Sequence, residues 1–401
     1  MGTMTGAVIT ELVVHRISVP LVRPFVTARR TALTHEAVIV EVRDSDGRSG
    51  WGEAPCSWRV TGESPQSVAA VVNGPLAEVV IGMDIAELSA ITRAVSDAVV
   101  RNPAATMAVD CAMHDLAARV AGVPLAAFLA DAPRPNAVRL EESALIRPDP
   151  IRPDLIRTDP IRPDPIRTDM TLSAGDPLAV VALALEHRDN GFDTLKVKCG
   201  GGGDDKVLLR QIRDAVGADV TLRVDANQGW DREQAIDTIR WWEDEDIRVE
   251  FVEQPVAARA VADLAAVRTA VSTPILADES VWDHWDLAEV IRMGAADAVN
   301  IKLAKTGSID EAKRMAADAA AAGVGVLFGS MMESTVGIAA AASLASALGV
   351  TGAQDLDAGL WLAASPVMGG AQYLGSSVTL AAEPGLGISG LATATRRSHQ
   401  L

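Results

Sequence analysis

From Met170 onward, short apolar runs recur at a nearly constant step. They begin at residues 170 (MTLSA), 194 (TLKVKC), 221 (TLRVDAN), 249 (VEFVEQP), 274 (PILADES), 298 (AVNIKLA), 325 (GVLFGS) and 353 (AQDLDA). The steps are 24, 27, 28, 25, 24, 27 and 28 residues. Between most of the runs lie helix-patterned stretches such as DPLAVVALALEHRDNG and SIDEAKRMAADAAAAG. Strands alternating with helices build βαβ units and hence a parallel sheet. Eight strands at near-constant pitch imply a closed α/β barrel. An open doubly wound sheet is the runner-up. It would want a glycine-rich phosphate fingerprint after its first strand, and the run CGGGGDD after the second strand lacks that spacing.

The preceding sequence is of another kind. ITELVVHRISVPL and EAVIVEVRDSDGRSGWGEA alternate apolar with polar residues around an Asp-Gly turn, which is strand periodicity. Helical material follows, and its second stretch, TMAVDCAMHDLAARVAGVPLAAFLA, contains the stop signal Gly-Val-Pro. Residues 1–134 therefore read as an α+β domain and 135–361 as the barrel. From Ile146 to Asp169 runs a five-residue unit, Ile-Arg-(Pro/Thr)-Asp-X, in five copies. Period five suits neither strand nor helix, and its prolines favour extended backbone. Residues 146–169 are expected to be a loop expanded at the domain junction, since lengthening a surface loop costs little closure entropy. The other reading is a binding arm with Ile as a periodic anchor.

A formal net charge of −17 argues against nucleic acid and anionic membrane surfaces as partners. No apolar run is long enough to span a bilayer, and the N-terminus has no secretory pattern. Cys56, Cys111 and Cys199 form no metal or CxxC spacing, which fits a reducing compartment. A cytoplasmic protein is expected.

The strand ends carry the chemistry. They read Lys196-Val-Lys198, Asp225-Ala-Asn227, Glu253-Gln-Pro255, Asp278-Glu279-Ser280, Asn300-Ile-Lys302 and Asp355-Leu-Asp357. Residues i and i+2 of a strand share a face, so each pair of polar groups can project together. Charges turned into a barrel mouth are costly unless paired or bound to metal. Asp225, Glu253 and Asp278, on three successive strands, are candidate ligands of a hard cation, Mg²⁺, which takes oxygen donors and keeps positions open for substrate and water. Zinc fits less well, because no His or Cys accompanies them. No histidine lies in a barrel strand, so Lys198 and Lys302, on opposite strands, become the candidate acid and base. Lys196 and the metal would depress the pKa of Lys198, and Asn227 supports the site.

This constellation resembles the enolase superfamily, in its muconate-lactonizing subgroup. The matching words are LKVKCG, RVDANQGW, EFVEQPV, ILADES and VNIKLAKTG, with PLVRPFVTARRTA and GWGEAP…VTGES near the N-terminus. The resemblance implies a (β/α)7β modified TIM barrel with an α+β capping domain, 1–134 completed by about 362–401. It implies Mg²⁺ on Asp225, Glu253 and Asp278, and proton transfer by Lys198 and Lys302. Within the subgroup, QDLDAGLWL is most similar to the dipeptide epimerases, in which an Asp-X-Asp like Asp355 and Asp357 holds the substrate's α-ammonium group. The implied reaction inverts the α-carbon of a dipeptide's C-terminal residue by 1,1-proton transfer through an enediolate. Arg30 falls where an Arg meets an acidic side chain, so L-Ala-L-Glu is the first substrate expected. N-acylamino acid racemase or o-succinylbenzoate synthase activity is the alternative. The enzyme is expected to be a homo-oligomer.

Overall fold

The computed structural model describes residues 7–131 and 165–392. The repeat up to Asp164, and with it most of the expected junction loop, lies outside the described residues.

The N-terminal part is a three-stranded antiparallel sheet of β1 (Ile9–Val26), β2 (Thr31–Asp44) and β3 (Ser49–Pro55), with β2 in the middle. Helix Pro103–Ala121 packs on β3 at very short range. A Cβ at Gly50 or Gly52 would meet the Ala112 or Ala108 carbonyl oxygen at about 2 Å, so no side chain fits there. The helix is buried along most of its length. Its first amides are met by Glu63, whose two oxygens accept from Ala104 N and Ala105 N at 3.0 Å. A carboxylate suits the positive end of a helix.

The barrel follows from Met170. Its strands are β5 (Met170–Leu172), β6 (Thr194–Lys198), β7 (Thr221–Asp225), β8 (Val249–Glu253), β9 (Ile275–Ala277), β10 (Ala298–Lys302) and β11 (Gly325–Gly329). All pair in parallel, each with its neighbours in sequence. The expected eighth strand is reduced to two bridges. Gln354 pairs with Thr168 and Asp355 with Gly329, and these close the sheet from β11 back to β5. Helices return each strand to the next, and most start at a side-chain cap, as at Asp176, Asp204, Asp231, Asp283, Ser308 and Ser334. Each such cap contributes about 1 kcal/mol. A plug of Phe251, Leu276, Ala298 and Leu327 forms a separate small apolar cluster.

One expectation needs correcting. The last repeat unit, Ile166-Arg167-Thr168-Asp169, is not loop. Ile166–Arg167 forms β4, which pairs with β14 (Ser377–Thr379) and through it with β13 (Gln372–Leu374). Thr168 closes the barrel, and Asp169 is fully buried. The unit follows the repeat's spelling, but its place in the chain makes it the lead-in to the first barrel strand. The remaining strands, β12 (Val367–Gly369) and β15 (Ile388–Leu391), pair with each other. Their segment touches the N-terminal part through Leu386 N, which donates to Asp115, and through the Arg119 guanidinium, which donates to Ile388 O. Among the described residues no helix is long and apolar enough to cross a membrane.

Candidate active site

At the carboxyl ends of the barrel strands lies a cavity of about 440 Å³. Parallel register brings the strand ends to one level, with Lys198 beside Asp225 and Asp225 beside Glu253. Lys196, Lys198, Asn227, Asp278, Lys302, Asp355, Asp357 and Arg30 all line the cavity, and Lys198 and Lys302 face this shared space.

Acids and ammonium groups alternate across its floor. Lys198 Nζ donates to Asp225 Oδ2 at 2.6 Å, and Lys302 Nζ to Asp278 Oδ2 at 2.7 Å. Lys302 is also 3.8 Å from Glu253 Oε1 and from Asp355 Oδ2. Lys196 lies 2.7 Å from Glu253, 2.8 Å from Asp355 and 3.6 Å from Asp225. Burial alone would lower Lys302, but Asp278 and Glu253 hold its ammonium well above the usual lysine range. Lys196 is held up in the same way, against burial, by Asp355, Glu253 and Asp225. Lys196 is thus held by three carboxylates at once. Against burial, Lys302 and Lys305 keep Asp278 far below the carboxylate range. Burial and the adjacent Asp225 push Glu253 up to about 8.

Asp225, Glu253 and Asp278 are the expected ligand set, and they end or directly follow three neighbouring strands. The ammonium groups of Lys196 and Lys302 sit between their carboxylates. The one set of three acids among the described residues with a ligand oxygen from each within 4.8 Å is Asp169, Asp355 and Asp357. The donor chemistry at the expected set still suits a hard cation. Asn227 Oδ1, Glu253 Oε2, Glu279 Oε2 and Asn300 Oδ1 are buried acceptors with no hydrogen bond. Lys196 is close to Glu253 Oε2 but not aligned to donate to it. A buried acceptor left bare costs about 1–3 kcal/mol, so Asn227 Oδ1 and Glu279 Oε2, both on residues that line the cavity, are oxygens open to a cation.

Several contributors escaped the reading of the sequence. Gln254 has a left-handed φ of 37° and is fully buried. Its Oε1 accepts from Asp278 N and Ser280 N, which fixes the end of β9 against that of β8. Lys305, one turn beyond Lys302, donates to Asp278 Oδ1, Asp278 O and Asn300 O at 2.6–2.8 Å. Asn300 Nδ2 donates to both Glu253 and Asp355 at 2.9 Å. Asn227 reaches Asp225 by a different route from strand alternation. It lies past the end of β7 at φ 46°, and its backbone N–H donates to Asp225 Oδ1 at 2.8 Å. Lys305 lies inside the word VNIKLAKTG and could have been flagged there, but nothing local signals the reach of Gln254 between strands.

The far wall is aromatic and acidic. Phe25, from the end of β1, lies over Lys198, with the ammonium 5.8 Å from the ring centroid. It packs edge-on against Trp361 at 4.8 Å. Trp361 Nε1 and Thr171 N both donate to Asp357 Oδ2. Lys196 and Asn300 take Asp355 Oδ2. Arg30 also lines the cavity. The turn before it is held by Thr27, and its Nη1 donates to Ser57 Oγ at 2.5 Å. Burial lowers its pKa, and among the described residues no carboxylate pairs with it.

Comparison with known proteins bears on this geometry. Residues 9–130 match the model of the mandelate racemase / muconate lactonizing enzyme N-terminal domain, and 179–391 match that of the enolase C-terminal domain-like family. The L-Ala-D/L-Glu epimerase of Bacillus subtilis is 36% identical over 379 residues, covering 94% of this chain and 95% of that protein. The solved substrate-liganded structure of the L-Ala-D/L-Glu epimerase from Bacillus subtilis superposes with a TM-score of 0.86, at 36% identity, over 96% of this chain and 99% of the other. The dipeptide epimerase of Enterococcus faecalis, solved with Mg and L-Leu-L-Tyr, superposes at 0.84 with 32% identity, over 95% of this chain and 99% of that one. With both domain models matched and near-full-length relatives above 30% identity, the chain belongs to the enolase superfamily, as a mandelate racemase / muconate lactonizing enzyme family member.

Proposed function

We propose that this protein is a Mg²⁺-dependent dipeptide epimerase, an isomerase that inverts the α-carbon of a dipeptide's C-terminal residue. L-Ala-L-Glu is the first substrate to test. The observation that carries the reading is that one cavity is lined by Lys198 and Lys302, by Asp355 and Asp357, and by Arg30, with which no carboxylate pairs among the described residues. The relatives described above act on dipeptides, and one was solved with Mg.

In this reading Asp225, Glu253 and Asp278 hold Mg²⁺, which supplies positive charge against the substrate carboxylate as the α-proton leaves. Asp355 and Asp357 receive the α-ammonium group at the other end of the dipeptide. That end-to-end grip sets the α-carbon between the two lysines. One lysine takes the proton from one face, and the other delivers a proton to the opposite face. Phe25 and Trp361 cover the site and keep bulk water from the reacting carbon. Arg30 meets an acidic side chain. The remaining expectations belong to the same reading: a cytoplasmic homo-oligomer that binds neither nucleic acid nor membrane, the last two supported by the net charge of −17.

The test is a dipeptide panel in D₂O with MgCl₂, read by α-deuterium incorporation. Exchange on L-Ala-L-Glu, lost with EDTA and restored by Mg²⁺, is expected. The Asp355→Ala and Asp357→Ala variants should lose it. Exchange confined to N-acyl amino acids and untouched by those variants would replace this reading with the N-acylamino acid racemase one.

A further inference from the structure

Every charged residue that lines the cavity and is also exposed is an arginine: Arg29, Arg59 and Arg259. The lysines and acids that line it are buried, apart from Glu279, which is half-buried. The three arginines come from separate segments, the turn between β1 and β2, the loop after β3, and the loop between β8 and helix Val261–Ala270. Their backbones are held in place. Arg29 N donates to Thr27 Oγ1. The turn that carries Arg59 is closed by Val60 N and Gly62 N, which both donate to Ser57 O. Beside Arg259, Ala258 N donates to Gln228 Oε1 and Ala258 O accepts from Ser280 Oγ. Their guanidinium groups, in contrast, make no hydrogen bond among the described residues, and no carboxylate there lies within 4 Å of them. The chain has 53 acidic residues to 36 basic ones, and most described arginines outside the cavity sit within 4 Å of a carboxylate. Partnerless arginines gathered at one opening add no contact to the fold. What they can do is act at a distance, since a cleft edged by one sign of charge concentrates solutes of the other sign.

Deepening the dipeptide reading, on which it rests, we propose that Arg29, Arg59 and Arg259 are specificity-determining residues that draw dipeptides of net negative charge into the cavity. The class is a dipeptide with one acidic side chain, whose two carboxylates outnumber its single ammonium group. A chain of net charge −17 repels such a solute in general, and a local patch of the opposite sign reverses that at the opening. Neutral dipeptides gain nothing from the patch, and cationic ones are turned away. The half-buried Arg30 is the short-range partner of the acidic side chain, whereas the three exposed arginines act earlier and through water. Exposed charges are screened by salt and buried ones much less, so ionic strength separates the two contributions.

The experiment compares L-Ala-L-Glu with L-Ala-L-Gln at about 10 mM and about 1 M NaCl with Mg²⁺ held constant, where the screening lengths are about 30 Å and about 3 Å. It is run on the parent and on a variant carrying Arg29→Gln, Arg59→Gln and Arg259→Gln together. The readouts are kcat/KM and, independently of turnover, Kd by tryptophan fluorescence, since Trp282 and Trp361 line the cavity. Three unit charges at roughly 10 Å in water predict that kcat/KM for L-Ala-L-Glu falls about fourfold from low to high salt. L-Ala-L-Gln should show no such fall. The triple variant should be about fourfold weaker than the parent on L-Ala-L-Glu at low salt and should match it at high salt. Equal salt dependence for the two substrates in the parent, or a triple variant that keeps the parent's dependence, overturns the proposal. A Kd that is charge-selective and salt-screened, in a protein that epimerises no dipeptide, leaves the role of the arginines standing and removes the epimerase reading. Epimerisation with no charge selectivity does the reverse.

Discussion

Replacing Arg30 by Met should separate recognition of the substrate's side chain from the chemistry. The guanidinium has five N–H donors, and among the described residues one of them is engaged, by Ser57 Oγ. Burial has already removed much of its water, as the downward pull on its pKa indicates. A glutamate side chain reaching it would therefore make a charge-assisted hydrogen bond to a donor already partly desolvated. Such bonds contribute about 1.5–3 kcal/mol, and at 1.36 kcal/mol per decade that is roughly 10- to 150-fold in kcat/KM. The assay compares L-Ala-L-Glu with its uncharged isostere L-Ala-L-Gln in the parent and in Arg30→Met. Activity on the glutamate substrate should fall by that factor. Activity on the glutamine substrate should fall much less, since its neutral amide offers the guanidinium no charged acceptor. Equal losses on both substrates would refute the reasoning and make Arg30 a structural residue of the turn at Thr27.

Lys302→Met should lower epimerisation by at least the 10²–10⁴-fold typical of a lost general acid or base, while Lys198 still exchanges the α-proton of one stereoisomer in D₂O. Lys198→Met should show the opposite stereoisomer preference, and exchange of both isomers in either variant would contradict the two-face arrangement. Away from the site, His15, Arg43 and Ser49 lower Glu41 to about 2, against burial that would raise it. A carboxyl depressed on folding adds stability above its unfolded value near 4.3, and loses it as pH falls toward 2. Urea unfolding should therefore show the stability gap between parent and Glu41→Gln narrowing from pH 5 to pH 2.5, and a constant gap would count against it.

The barrel was legible because its signal is a spacing. A strand, a helix and two turns occupy about the same length of chain each time, so the pitch survives whatever the individual residues are. The polar strand ends were legible for a related reason, since parallel neighbours in register bring their last residues to one level. What stayed hidden depends on contacts between strands. Gln254 reads as an ordinary polar residue before a proline, and its work is done by a left-handed backbone that turns its amide toward β9. Asp169 was concealed by its own neighbourhood, because it completes a fifth copy of a repeat whose preceding copies carry the same Asp. Only the closure of the sheet at Thr168 and Gln354 separates it from them. The eighth strand was legible as a word, but not as the pair of bridges to which it is reduced.

The same carboxylates serve two kinds of cation in this site, and that links binding to reactivity. An ammonium held 2.7 Å from Asp278 and within 4 Å of Glu253 keeps its proton, because leaving it as an amine would strand buried negative charge. Lys302 can act as a base only if Asp278 and Glu253 are neutralised by something else. Lys305 cannot take over that task, since it already occupies Asp278 Oδ1 and leaves Oδ2 to Lys302. In the proposed function, the Mg²⁺ that Asp225, Glu253 and Asp278 would hold would also supply the charge that frees Lys302. Under the proposed function, Lys302 stays protonated until its carboxylate partners are neutralised, so its release as a base is tied to the assembly of ligand set and substrate.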